Sequence, residues 1–97
     1  MDEHYELNGI VFVWDSDKAR SNRSKHRVTF EQAAEAFFDP FLRLVDASPD
    51  DEARDAVIGM DEGWNLLLVV HLLVEEERFR IISARRATTS ERRTYES

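Results

Sequence analysis

The residues best suited to chemistry in this 97-residue chain lie between positions 78 and 95, where arginine recurs. The six arginines of this stretch are Arg78, Arg80, Arg85, Arg86, Arg92 and Arg93. A guanidinium group keeps its charge near neutral pH and can hold a phosphate through two parallel hydrogen bonds. The whole chain has a formal net charge of −7, so these arginines form a local basic stretch on an acidic protein. The pattern favours an anion-binding site, and a solvated sheet edge protected by basic residues is the alternative.

A second polar set falls at helical spacing earlier in the chain. Its members, three or four residues apart, are Asp15, Lys18, Asn22, Lys25 and His26. Residues at such spacings share one side of a helix. Lysine and asparagine side chains contact phosphates, and imidazole can transfer a proton near neutral pH. The set is compatible with a helix side that binds phosphate, whereas its spacing alone favours a solvent-exposed helix with local ion pairs.

The three histidines are too scattered for a metal-binding motif. His71 interrupts an apolar run and is expected to be buried, whereas His4 is expected to have no role. His26, beside Lys25, is the candidate for proton transfer. The chain has no cysteine, which excludes disulfides and thiolate metal sites, and we expect neither a metal nor a cofactor.

Length and composition predict one domain over residues 1–97, with 42% hydrophobic residues to build a core. The first residues are acidic and polar, unlike a secretory signal peptide. The longest apolar run, Leu66–Leu73, is too short to cross a bilayer, so we expect a cytoplasmic protein. The net charge argues against unspecific nucleic-acid binding but permits a local basic cleft. Arg54, among acidic residues, is expected to be neutralised there unless the fold carries it to that cleft.

The hydrophobic pattern predicts an α+β fold with a mostly antiparallel sheet, in the order strand, two helices, four strands, helix. A first strand is expected over residues 7–14. Asp15 is predicted to cap a helix from Ser16 to about His26. Capping boxes, in which a threonine and the third residue after it satisfy each other's backbone amides, are predicted at Thr29 and at Thr88.

The remaining pattern predicts four strands and their turns. The predicted strands are Leu42–Val45, Ala56–Met60, Trp64–Val74 and Arg78–Ala84, with an acidic loop over residues 46–55 and turns at 61–63 and 75–77. Because side chains alternate along a strand, Arg78 and Arg80 should share a face. Arg85 joins them only if the strand bends or ends before it.

The order of these motifs resembles the BrnT toxins along nearly the whole chain. The motifs are W-D-x-x-K from Trp14, K-H-x-V-x-F from Lys25 and R-I-I-S-A-R from Arg80. The resemblance implies a RelE-like fold and a ribonuclease toxin of bacterial type II toxin–antitoxin systems that blocks translation. It also implies a ribbon-helix-helix antitoxin of the BrnA type, through which the complex binds operator DNA, and permits a toxin dimer. Family members often have glycine after the Lys-His pair, where this chain has Arg27.

The resemblance further implies metal-independent RNA cleavage by attack of the ribose 2′-hydroxyl. Arg80 and Arg85 would clamp the phosphate, and His26 with Lys25 would transfer protons. The expected RNA-binding residues are Lys18, Asn22, Arg54, Arg78, Arg86, Glu91 and Tyr95, of which Glu91 and Tyr95 are further candidates for proton transfer. The alternative is a module without catalytic activity that acts only as an antitoxin-bound co-repressor of its operon.

Overall fold

The computed structural model describes residues 1–47 and 54–97. These residues form six strands, three α-helices and a short 3-10 turn. The strands are β1 (Asp2–Leu7), β2 (Ile10–Asp15), β3 (Arg43–Asp46), β4 (Asp55–Met60), β5 (Leu66–Val74) and β6 (Arg78–Arg86). The helices are α1 (Ser16–His26), α2 (Phe30–Ala36) and α3 (Thr89–Glu96), and the 3-10 turn is Glu75–Glu77. The predicted α+β class is confirmed, whereas most of the predicted acidic loop lies outside the described residues.

The six strands make one mixed sheet in the order β1-β2-β6-β5-β4-β3. Strands β2 and β6 run parallel, and the other neighbouring pairs are antiparallel. The predicted central position of the apolar strand is correct, because β5 lies between β6 and β4 and buries consecutive residues from Leu66 to Val69.

The strand predicted over residues 7–14 is present as β2, but it starts at Ile10 rather than Leu7, because the chain begins with a hairpin of two strands. Asn8 and Gly9 form its two-residue turn with φ of 51° and 83°. Two residues with positive φ are typical of the hairpin turn that matches the twist of paired strands, and Asn-Gly is its preferred sequence. The segment before this turn is acidic, yet buried and exposed side chains alternate along it. Tyr5 and Leu7 pack against the core, while their neighbours are exposed.

Two predicted strand ends are also wrong. Trp64 lies before β5, with φ of 65° and 82% of its surface exposed. Asp61 closes the turn that contains Trp64: its carboxylate accepts from the backbone N–H of Asn65, and its carbonyl accepts from the N–H of Trp64. Strand β6 continues past Ala84, because β5 pairs with it as far as Arg86.

The sheet has two faces with different cover. The first face carries the larger core, in which α2 and Ala19 of α1 pack on the sheet. Its fully buried large side chains include Phe12, Phe30, Leu67 and Ile81. The second face carries a smaller cluster of Ala56, Ile58, Leu66 and Leu68, against which Tyr95 of α3 packs. The β1–β2–β6 end of the second face therefore lies away from this cluster.

The predicted helix starts are confirmed. The carboxylate of Asp15 accepts from the backbone amide of Lys18 at 3.0 Å. Both predicted capping boxes are formed, at Thr29 and at Thr88. No helix in the described residues is long and apolar enough to cross a membrane.

Helix α1 ends on a strained residue. Arg27 has φ of 57° and ψ of 32°, and its backbone N–H donates to the carbonyl of Arg23. This left-handed conformation costs about 1–2 kcal/mol for a residue with a side chain and suits glycine. The helix end thus keeps the left-handed conformation that suits glycine, although position 27 is an arginine.

Replacing Arg27 with glycine should raise the free energy of unfolding by about 0.5–1 kcal/mol, because the strain relieved exceeds the added entropy of the unfolded glycine. Urea unfolding measures the change. The matched control is Arg23→Gly, inside the same helix, which should lower stability by about 1 kcal/mol. A loss of stability in Arg27→Gly would contradict the assignment of strain to this position.

Candidate functional site

An irregularity in the pairing of β5 with β6 decides where the arginines lie. Val70 is opposite Ser83, but the next residue, His71, is opposite Ile81, which leaves Ile82 as an extra residue. Such a β-bulge shifts the alternation of side chains along the bulged strand by one position.

The bulge brings three arginines to the second face of the sheet. Ile81 and Ala84, three residues apart, both lie in the first-face core. Arg80 before them and Arg85 after them therefore project from the second face, as does Arg78, two residues before Arg80. We call Arg78, Arg80 and Arg85 the arginine row. The bend that the sequence required for Arg85 to join the other two is this bulge.

Arg80 is held by a carboxylate from the first strand. Its two terminal nitrogens donate to the carboxylate oxygens of Asp2 at 3.2 and 2.7 Å. This hydrogen bonding lowers the pKa of Asp2 and raises the pKa of Arg80. The guanidinium is thereby fixed in position, but its donors already serve an anion.

Arg85 is held in the same way by α3. Its terminal nitrogens donate to the carboxylate of Glu91 at 2.8 and 2.9 Å. The bond to Arg85 is the main cause that lowers the pKa of Glu91, and it raises the pKa of Arg85. Glu91 also accepts from the backbone N–H of Thr88 at 2.9 Å, so one carboxylate caps α3 and orients Arg85.

Arg78 completes the row beside the first strand. Its Nε donates to the carbonyl of Glu75 at 3.1 Å, and its Nη1 lies 3.4 Å from Nε2 of His4. A guanidinium can only donate, so the imidazole nitrogen is the acceptor in this contact. His4, which was expected to have no role, therefore lies against the arginine row.

Asn22 is buried and joins α1 to β6. Its side-chain amide donates to the carbonyls of Val28 and Ala84 at 3.0 and 2.8 Å, and its side-chain oxygen accepts from the N–H of Ala84 at 3.0 Å. Bonding both backbone groups of one strand residue is what a neighbouring strand would do. The carboxamide that was expected to bind RNA is thus hydrogen-bonded to the protein's own backbone.

This junction brings the polar side of α1 to the edge of β6. Lys18, Lys25 and His26 lie within about one turn of Asn22 along the helix, and Asn22 contacts the residue next to Arg85. Both lysines are exposed, and His26 is partly exposed. Asn22 thus joins the helix set to the strand that carries Arg85.

Arg54 falls on the same face as the arginine row. It lies two residues before Ala56, which faces the second-face cluster, so alternation puts both on that face. Asp55 of β4 pairs with His71 of β5. Continuing this antiparallel register by one residue puts Arg54 opposite Leu72, and Leu72 pairs with Arg80 of β6.

Two of the expected RNA-binding residues have partners away from the arginine row. Arg86 pairs with Leu67 of the first face and donates to the side-chain oxygen of Asn65 at 2.8 Å. The hydroxyl of Tyr95 donates to the carboxylate of Asp39 at 2.5 Å. Burial and this bond raise the pKa of Tyr95 to about 12, which makes proton release near neutral pH unfavourable.

His71 is buried, as the sequence predicted. It is 3% exposed and its ring packs against Phe37 and Phe79. Burial lowers its pKa, which favours the neutral ring. In residues 1–47 and 54–97, no group of three histidine or carboxylate side chains could hold a metal ion.

Sequence reasoning missed the contribution of β1 to this site. Asp2 and His4 reach the arginine row because β1 pairs with β2, which pairs with β6. The Asn-Gly turn preceded by alternating residues was the signal that could have placed them.

The comparisons with known proteins define the class of protein. Residues 14–91 match the family of ribonuclease toxins, BrnT, of type II toxin–antitoxin systems. The crystal structure of the Brucella abortus ribonuclease toxin BrnT matches with a TM-score of 0.57 and 26% identity, over 78% of this chain and 94% of that chain. No curated protein matches. The chain therefore belongs to the BrnT family, and this membership implies an antitoxin partner.

Replacing Asn22 with alanine should lower the free energy of unfolding by about 2–4 kcal/mol, because buried backbone groups of Val28 and Ala84 lose their partner. Chemical unfolding measures the loss. The control is Ser21→Ala on the exposed part of the same helix, which should change stability by less than about 0.5 kcal/mol. Equal stabilities of the two variants would show that the junction is not a structural anchor.

Proposed function

We propose that this chain is an endoribonuclease toxin that cleaves RNA without a metal ion and thereby inhibits translation. The observation that carries the proposal is the arginine row, which the bulge at Ile82 assembles on one face of the sheet. Arginines spaced along one strand suit the phosphates of a single RNA strand. Membership in a family of ribonuclease toxins supports RNA as the substrate.

The reaction needs no group from outside the RNA and the protein. The ribose 2′-oxygen attacks the adjacent phosphorus, and the bond from phosphorus to the 5′-oxygen of the next nucleotide breaks. One group takes the proton of the 2′-hydroxyl and another protonates the leaving oxygen, which yields a 2′,3′-cyclic phosphate and a 5′-hydroxyl. Arg80 and Arg85, with Arg78 and Arg54 beside them, stabilise the charge that grows on the phosphoryl oxygens.

Proton transfer is assigned to the edge where α1 meets β6. His26 and Lys25 are on the helix that Asn22 joins to Ala84, the residue before Arg85. Lys18, one turn away in the other direction, supplies a positive charge for a neighbouring phosphate. Glu91 and Tyr95 have partners within the protein, so we give them no proton-transfer role here.

The partner that we propose is a ribbon-helix-helix antitoxin of the BrnA type. It neutralises the toxin in the cytoplasm and carries the complex to operator DNA, where two toxin molecules are bridged by an antitoxin dimer. The fold of the toxin would be RelE-like. These assignments extend the family membership, which supports an antitoxin as the partner.

A second candidate function is an antitoxin-bound co-repressor without catalytic activity. The ion pairs favour it, because Asp2 and Glu91 already satisfy Arg80 and Arg85 in a chain of net charge −7. In that case the purified protein leaves RNA intact at high concentration, while the complex binds its operator tightly.

Replacing Arg80 or Arg85 with alanine should lower the rate of RNA cleavage by about 10²–10³-fold, the usual cost of removing one donor that stabilises a developing oxyanion. The assay uses the purified chain, messenger RNA and a metal chelator. Growth arrest after induction of each variant gives a second measurement.

The control for these variants is Arg20→Ala, which removes an arginine from an exposed ion pair with Asp17 on α1. It should cleave RNA and arrest growth like the parent. If Arg80→Ala and Arg85→Ala also match the parent at equal abundance, the arginine row is not the phosphate clamp.

Replacing Asp2 with asparagine should strengthen RNA binding by about two- to five-fold, because phosphate no longer competes with a carboxylate for Arg80 and the ion pair that is lost is an exposed, weak one. Binding to RNA with 2′-deoxy substitutions avoids cleavage during the measurement. Glu6→Gln removes the same charge from the same face of β1 and controls for long-range electrostatics. An equal gain in both variants would rule out local competition at Arg80.

A further inference from the structure

We propose that His4 is a further catalytic residue, which transfers a proton to or from the RNA phosphodiester held by Arg78 and Arg80. The inference rests on the proposed ribonuclease function and adds a group from β1. Residues 1–13 lie outside the part of the chain that matches the family, so β1 contributes to this site independently of that match.

The sheet register places His4 level with the arginines. His4 pairs with Val13 of β2, and Val13 pairs with Arg80 of β6, so the three residues form one line across three strands. Val13, between the other two, is 2% exposed. Alternation along β1 puts His4 on the second face, because Tyr5 packs against the first.

The contact between His4 and Arg78 places the imidazole beside this guanidinium. Nε2 of His4 lies 3.4 Å from Nη1 of Arg78 and accepts from it. The lone pair of Nε2 is thus directed toward a group that we assign to phosphate binding. When Arg78 turns to a phosphate, Nε2 is left beside that phosphate with its lone pair available.

This geometry suits the proton transfer that the cleavage requires. Neutral Nε2 can take the proton of the 2′-hydroxyl while the 2′-oxygen forms its bond to phosphorus, and the electron pair of the breaking bond stays on the 5′-oxygen. Alternatively, the protonated ring can give its proton to that 5′-oxygen. Imidazole can perform either step near neutral pH.

The other two histidines leave this end of the row without an acid–base group. His71 is enclosed by Phe37 and Phe79 on the first face. His26 ends α1, which meets β6 near Arg85 rather than near Arg78. His4 therefore lies toward the Arg78 end of the row, where it is the histidine nearest to a phosphate held by Arg78 and Arg80.

The test compares the full chain with His4→Ala and His4→Gln on messenger RNA in the presence of a chelator. We expect kcat to fall by about 10²-fold in both variants, the contribution of one positioned acid–base group. Affinity for RNA with 2′-deoxy substitutions should change less than about two-fold. A parent with one acid and one base should have a bell-shaped pH–rate profile, and the variants should lose one of its two limbs.

The matched control is Glu6→Gln, an exposed residue on the same face of β1, which should keep the parent's kcat and pH profile. Urea unfolding of each variant reports whether the hairpin persists, and glutamine retains a polar side chain if alanine disturbs it. His4→Gln that is folded, and cleaves RNA at the parent rate with an unchanged pH profile, would overturn the inference.

The outcomes separate this inference from the proposed function. If the parent cleaves RNA and Arg80→Ala does not, while His4→Gln is unaffected, the inference about His4 alone is wrong. Unchanged kcat with weaker RNA binding would make His4 a binding group and also overturn it. If the parent leaves RNA intact, the ribonuclease function and the role of His4 are both wrong.

Discussion

The extra residue Ile82 in β6 is the constraint on which both the core and the candidate site depend. With regular alternation from Ile81, Ser83 and Arg85 would face the first-face core and Ala84 would leave it. An unpaired guanidinium in that position would cost several kcal/mol. The bulge keeps Ile81 and Ala84 inside and turns Arg80 and Arg85 to the same side. The change in side-chain alternation at Ile82 therefore keeps Arg85 out of the core and also places it on the same face as Arg80.

A second constraint follows from the unequal lengths of the strands. Strand β2 ends at Asp15, while β6 continues to Arg86, so the far part of β6 would have one edge without a strand. The carboxamide of Asn22 bonds the N–H and the C=O of Ala84 at that edge. A helix can lie there because one side chain replaces the missing backbone partner. The same bond joins α1 to the strand that carries the arginine row.

The predictability of each part follows the range of the interaction that determines it. Helix starts at Asp15, Thr29 and Thr88 were predictable because a cap and its amides lie within one turn. The first strand was overlooked because its acidic residues suggested a solvated segment, although Asn8-Gly9 is a local turn signal. Hydrophobicity alone placed Trp64 in a strand, whereas its conformation is set by the turn that Asp61 closes.

The site was less predictable than the helices because its geometry is non-local. Alternation within β6 cannot reveal a bulge, since the extra residue is defined by pairing with β5. Asn22 shares its spacing with lysines that are exposed, and its burial depends on a residue 62 positions away.

The carboxylate partners of Arg80 and Arg85 differ in how much else in the structure depends on them. Asp2 accepts hydrogen bonds from Arg80. Glu91, besides binding Arg85, accepts from the backbone N–H of Thr88 and so completes the cap of α3. Phosphate can replace Asp2 at the cost of one exposed ion pair, while replacing Glu91 would also remove a helix cap, which typically contributes about 1 kcal/mol. An incoming RNA strand is therefore expected to engage the row first at Arg80, the end that β1 borders.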